Sequence, residues 1–162
     1  MLRASRRWRS PPHRPISRAM TTALYNRDIL RLAASIPHHR RLEAPQGSVE
    51  RRSPTCGSRV AIDVMLDEDG RLVGLGQEVR ACALGQAAAS LMGANALGRS
   101  GAELAEARDA LAAFLTGRRD DPGQWPGLDI FAPARPYSAR HQSILLAFEA
   151  VAEAAAQAEG RG

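Results

Sequence analysis

Val60–Ala61–Ile62–Asp63–Val64–Met65–Leu66 is the stretch whose reading decides the fold. Its residues alternate, with Val60, Ile62, Val64 and Leu66 on one side, the period of a half-buried β-strand. Asp67–Glu68–Asp69–Gly70 supplies turn chemistry, and Leu72 to Val79 returns as a second strand, so the pair reads as an antiparallel hairpin. Asp67, Asp69 and Glu78 have the spacing of calcium-loop ligands. Arg71 and Leu72, however, stand where that loop needs a ligand and a glycine, which leaves a plain turn.

Working outward, Ser48–Arg52 reads as a further strand, preceded by a loop over residues 37–47. Residues 26–36 read as a short helix that Asn26 caps, Ile29, Ala33 and Ile36 line on one face, and Pro37 stops. After Cys82 the period changes. Ala83 to Leu97 is a helix of small residues ending at Gly98, and Ser100–Gly101–Ala102–Glu103 opens another as a capping box. The stripe of that second helix runs through Leu104, Ala107, Leu111 and Leu115 to Gly117. Residues 118–135 form a Pro/Gly-rich connection plugged by Trp125. From about Ser138 a last helix carries Ile144, Leu145, Phe148, Val151 and Ala155 at helical spacing. The order predicts an α+β domain with an N-terminal helix, a small antiparallel sheet of about three strands, and helices packed on one face.

The 162 residues suffice for one domain, expected over 20–158, with a flexible end at 159–162. All 22 basic residues are arginine, a coding bias rather than a site requirement. Six of them (Arg3, Arg6, Arg7, Arg9, Arg14 and Arg18) fall in residues 1–19 with no acid, so taking six from the net +5 leaves −1 for residues 20–162. A nucleic-acid partner is not expected, because the excess charge belongs to the tail and not to the folded body. That tail reads either as an organelle transit peptide or as an upstream stretch ahead of a start at Met20. Pro11–Pro12 and Pro15 interrupt an amphipathic helix and favour the second reading. The longest uncharged run, Ala81 to Gly98, is too polar and too glycine-rich to span a membrane. The expected location is the cytoplasm, or an organellar matrix if the tail is a transit peptide, with reduced thiols.

Three places can carry chemistry. Cys56 lies in Ser53–Pro54–Thr55–Cys56–Gly57–Ser58, where a glycine after the cysteine lets the chain bend sharply and expose sulfur. Cys82 lies in Arg80–Ala81–Cys82–Ala83, where a strand hands over to a helix. Unpaired backbone N–H groups, the helix dipole and Arg80 there favour the thiolate, which binds metal or attacks sulfur. His141, in Arg140–His141–Gln142–Ser143, opens the last helix and offers an imidazole nitrogen. By spacing alone, two cysteines 26 residues apart read equally as buried small apolar groups or a disulfide. His38–His39, beside Arg40 and Arg41, reads as surface.

Pro54 to Val64 (PTCGSRVAIDV) followed by Val79 to Met92 (VRACALGQAAASLM) resembles the two cysteine segments of the IscU/NifU-like iron–sulfur cluster assembly scaffolds, including their spacing across a hairpin. Arg140 to Val151 (RHQSILLAFEAV) resembles that family's third segment, and Leu24 to Leu42 (LYNRDILRLAASIPHHRRL) its N-terminal helix and loop. The resemblance covers about Leu24 to Ala155. It implies a non-catalytic scaffold that binds iron or a [2Fe-2S] cluster, or holds zinc in the empty site. Cysteine desulfurase and cluster-acceptor proteins are the implied partners.

Carried over, Cys56, Cys82 and His141 are the metal ligands, with Ser58, Gln142, Ser143 and Arg80 assisting. Ser58 stands where the family usually has an aspartate, and Gln142 where it has the third cysteine. An amide is a poor iron ligand and cannot carry a persulfide. Ser143, an outside thiol or a second subunit would then complete the site, and a homodimer would supply four thiolates. Zinc-dependent sulfur transfer through a persulfide, and a degenerate binding paralogue, are the alternative readings.

Overall fold

A computed structural model describes residues 24–54 and 57–160. The expected Arg-rich tail (1–19), Cys56 and the last two residues lie outside the described residues. Helix α1 spans Arg27–Ala33, followed by strands β1 (Gly47–Arg52), β2 (Arg59–Leu66) and β3 (Leu72–Arg80). Helices α2 (Ala83–Asn95) and α3 (Gly101–Leu115), a 3-10 turn (Leu128–Ala134) and the long α4 (Ser138–Glu159) complete the order.

The elements follow from local chemistry. Asn26 caps α1 by accepting the Ile29 N–H at 3.0 Å. This helix ends at Ala33 rather than Ile36, because Pro37 forces the residue before it out of the helical region. Ser100 caps α3 by accepting the Glu103 N–H at 3.2 Å. The Glu103 carboxylate pairs with Arg71 and Arg99, so only half of the expected capping box forms as such. The 118–135 connection contains the 3-10 turn and buries Trp125, whose indole N–H donates to the Leu91 carbonyl at 3.0 Å. Its ring meets Phe148 edge-on at 5.3 Å, so the plug ties α2 to α4.

The sheet has the order β1-β2-β3, antiparallel throughout. Val60, Ile62 and Val64 are fully buried on the inner face, as the alternation predicts, and α4 packs there against β1 and β2. Helices α2 and α3 pack on α4 in turn. The helices thus gather on one face, giving the expected α+β architecture. No helix among the described residues is long and apolar enough to cross a membrane.

Both edges of the sheet are closed by backbone or side-chain partners. Gln77 N–H in β3 donates to the His38 carbonyl at 2.9 Å, and Leu72 N–H to the Arg99 carbonyl at 2.9 Å. On the other side, Ser48 N–H of β1 donates to Gln157 Oε1 of α4 at 2.7 Å.

The outer face is where the sequence misleads. Asp63 has the parity of a solvent-facing residue, yet it is 0% exposed. A strap over residues 38–42 crosses the sheet above it. Asp63 accepts from Arg41 Nε at 2.8 Å, Arg41 Nη2 at 3.0 Å, the Leu42 N–H at 2.9 Å and Ser48 Oγ at 2.6 Å. Gly76 makes the crossing feasible, since a Cβ there would collide with the Arg40 carbonyl. Burial pushes the Asp63 carboxyl up. The hydrogen bonds from Arg41, Ser48 and Leu42, with the Arg41 charge, outweigh it and hold the group below the usual carboxylate range.

Because the folded value is depressed, Asp63 contributes stability above the unfolded value of about 3.9, and that contribution disappears as the pH falls through its folded value. Asp63→Asn should therefore lower unfolding free energy at pH 7 by about 1–3 kcal/mol, the cost of weakened buried hydrogen bonds. The gap between wild type and variant should narrow at pH 3 in urea unfolding. A gap unchanged between the two pH values would show that Asp63 is not the group that titrates.

Candidate functional site

Cys82 is the N-cap residue of α2, with extended backbone (φ −66, ψ 169). Its carbonyl accepts the first helical bond, from Gln86 N–H at 2.9 Å, while its side chain makes no capping bond and its thiol is free. The sulfur is half-buried and lines an open depression of about 610 Å³ with Gly57, Ser58, Val79, Arg80, Ala81, Gln86 and Arg140. Sheet, helix and the β1–β2 loop meet at this point. Gln86 joins because it lies one turn past Cys82 on the same helical face, a spacing readable in the sequence.

The loop carrying Cys56 is closed at its neck by Ser53 N–H donating to the Ser58 carbonyl at 2.8 Å. Both serines are 3% exposed. Gly57 takes φ +70 with nothing near a would-be Cβ, so it serves the bend and not a close approach. The sharp turn expected after Cys56 is present, and Ser58 reaches the Cys82 depression.

Close packing brings α4 to this end. A Cβ at Gly85 would stand 2.8 Å from Ala81 Cβ and 3.1 Å from the Ser143 carbonyl oxygen, so glycine allows the start of α2 to lie on the start of α4. Ser143 is buried at 3% in that contact. Arg140, not His141, is the α4 residue that lines the depression. The His141 Nε2 lies 3.0 Å from the Ala134 carbonyl oxygen and 3.1 Å from that of Arg135. Carbonyls only accept, so Nε2 carries the proton and donates, which leaves Nδ1 as the one nitrogen of the neutral ring able to bind a metal. A backbone carbonyl holding one ring nitrogen is the usual support of a ligating histidine.

Gln142 is committed elsewhere. Its amide donates to Glu149 Oε1 at 3.0 Å, and Glu149 Oε2 pairs with Arg51 at 2.8 Å. Arg51 also pairs with Glu153 at 2.8 Å. These two glutamates hold its guanidinium above its ordinary value, the Glu153 hydrogen bond most and against the effect of burial. The residue in the third-cysteine position thus belongs to a polar clamp between β1 and α4. Among the described residues no three His, Cys, Asp or Glu side chains converge as a metal-binding group.

Arg80 stands at the rim of the depression. The strand register sets it opposite Arg59, and Arg59 opposite Arg52, a row of three arginines that the separate strand readings did not bring together. His38 and His39 are exposed, as expected, although His39 Nε2 accepts the Val79 N–H at 3.4 Å.

The arrangement was compared with known proteins. No family model and no curated protein matches the sequence. Among solved structures, a nitrogen-fixing NifU-like protein (N-terminal) from Brucella abortus aligns with a TM-score of 0.82 and 35% identity, over 88% of this chain and 99% of that one. A protein from Fervidobacterium islandicum AW-1, described as an iron–sulfur cluster assembly scaffold for the SUF system, aligns at 0.77 with 20% identity, over 83% and 98%. A hypothetical protein aligns at 0.74 with 23% identity, over 83% and 98%. At those two lower identities the likeness speaks for the fold.

The His141 geometry is checked by nitrogen-15 NMR of the ring. The Nε2–H tautomer should dominate when the imidazole is neutral, and His141→Ala should speed hydrogen exchange around residues 134–137. Finding the Nδ1–H tautomer would remove Nδ1 as a ligand atom.

Proposed function

The chain belongs to the IscU/NifU-like family, in its NifU N-terminal branch, and from that premise we propose that it is a scaffold on which iron and sulfide are held as a cluster before transfer to other proteins. The observation that carries this reading is Cys82. A free, half-exposed thiol sits at a helix N-terminus beside Arg80 and Arg140, on the depression that the Cys56 loop borders. Cysteine sulfurs are the ligands that iron–sulfur clusters take, and this one is free to serve.

The donors fit a cluster in part. Cys56 and Cys82 give two thiolates, whereas His141, held against the Ala134 and Arg135 carbonyls, adds Nδ1 only if the first turn of α4 turns its ring toward the depression. Gln142 adds nothing, since its amide is a poor iron ligand and is bound to Glu149. The remaining ligand therefore comes from outside the chain: a thiol, a partner protein or a second copy. Zinc accepts the same donors and is the competing occupant. The sulfur source in this reading is a cysteine desulfurase, and the cluster leaves to an acceptor protein.

Anaerobic reconstitution of the full chain with iron and sulfide tests the proposal. Wild type should develop visible thiolate-to-iron absorption that bleaches readily, and Cys56→Ser or Cys82→Ser should remove most of it. Gln142→Cys should raise iron content and slow bleaching by severalfold, because a third thiolate replaces an external one. Equal, low metal in wild type and both serine variants would sink the site assignment. Zinc bound in preference to iron by metal analysis would replace the cargo.

A further inference from the structure

At the end of the sheet that borders Cys82, the strand register sets Arg52, Arg59 and Arg80 side by side across all three strands, on the outer face. Arg140, in the first turn of α4, lines the Cys82 depression together with Arg80. A second depression of about 440 Å³, lined by Arg52, Ser53, Pro54, Gly57, Arg59 and Arg80, shares Gly57 and Arg80 with the first. The two therefore adjoin at Gly57 and Arg80.

This rim is short of counter-charge. Glu50 pairs with Arg52 at 2.9 Å and reaches Arg59 at 3.9 Å. Glu78, in the next row of the sheet, is engaged by Arg41 at 3.6 Å. Arg80 and Arg140 have no ion pair among the described residues. Like charges set directly opposite on neighbouring strands destabilise a sheet, and none of these arginines is buried, Arg52 and Arg80 being exposed and Arg59 and Arg140 partly so. Residues 20–162 carry a net charge of −1, so the rim is a local concentration and not a reflection of composition.

Building on the scaffold reading, we propose that the rim docks an acidic segment of a protein partner and brings that partner against Cys82. The dimensions suit a short peptide. Three strands at about 4.8 Å spacing place Arg52 and Arg80 about 10 Å apart, the reach of a few carboxylates on an extended chain. Duplex nucleic acid needs a longer track of phosphate contacts than four arginines provide. A second copy docking end to end would set two arginine rims face to face, a like-charge contact that opposes association.

The test uses the full chain, reduced and metal-free. The probe is a fluorescein-labelled peptide of about twelve residues alternating glutamate and glycine. A glutamine counterpart and an oligothymidylate of matching charge are the comparisons. Anisotropy reads binding, and mass spectrometry reads the alkylation rate of Cys82 separately from Cys56. The glutamate peptide should bind, weaken with salt, and slow Cys82 alkylation severalfold, while the glutamine peptide does neither. Arg80→Glu/Arg140→Glu should lower affinity tenfold or more and abolish the protection; Arg27→Glu/Arg31→Glu, on the exposed side of α1, should leave the protection intact.

Should the double variant fail to fold by circular dichroism, Arg52→Gln, at a 69% exposed side chain, should still weaken binding measurably. Peptide binding without protection of Cys82, protection that persists in the rim variants, or equal protection by oligothymidylate would overturn the proposal. Reconstitution of wild type with inorganic iron and sulfide, with a small thiol in the buffer as the external ligand, needs no acidic partner. It therefore reports on the scaffold reading alone, and the two can fail independently.

Discussion

The buried carboxylate of Asp63 sets the terms for the rest of the structure. A three-stranded sheet has two faces, and α4 covers only one. On the other face an ionised carboxylate at the centre of β2 could not stay buried alone, since desolvation would neutralise or expel it. The strap over residues 38–42 resolves this by delivering the Arg41 guanidinium and the Leu42 N–H, while Ser48 donates from β1. One group thereby fixes the path of the strap, closes the β3 edge through the His38 carbonyl, and joins β1 to β2 beyond the backbone ladder.

What was legible in the sequence was periodic or local. The Val60–Ile62–Val64 alternation, the Asn26 and Ser100 caps and the Leu104–Leu111–Leu115 stripe are each decided within a few residues, and each appears as read. The burial of Asp63 was not legible. Alternation assigned it to the solvent side, and its partner Arg41 is 22 residues away in a loop without periodicity. In the sequence Arg41 is only a neighbour of the surface pair His38–His39, whereas its charge docks the loop on Asp63. A composition-based reading cannot separate those two uses of an arginine.

The site divides in the same way. Local residue chemistry located Cys82 and the bend at Gly57, because both sit in short motifs with a backbone requirement. It could not foresee which way the side chains of the first turn of α4 would go. Successive residues on a helix point about 100° apart, so Arg140, His141 and Gln142 meet three different surroundings: the depression, the 3-10 turn and the β1–α4 clamp. The row of arginines was equally hidden, since it exists only once the register of three strands is set.

The clamp gives Gln142 a structural role, and its amide is not left as a vacant polar group. The amide joins Glu149, and Glu149 with Glu153 holds Arg51 across from β1. The network does not hang on the amide alone, because Glu149 keeps its pairing with Arg51 when that donor is removed. The first turn of α4 is thus joined to β1 through side chains, while Arg140 of the same turn lines the Cys82 depression, so one helical turn serves both the sheet–helix junction and the rim.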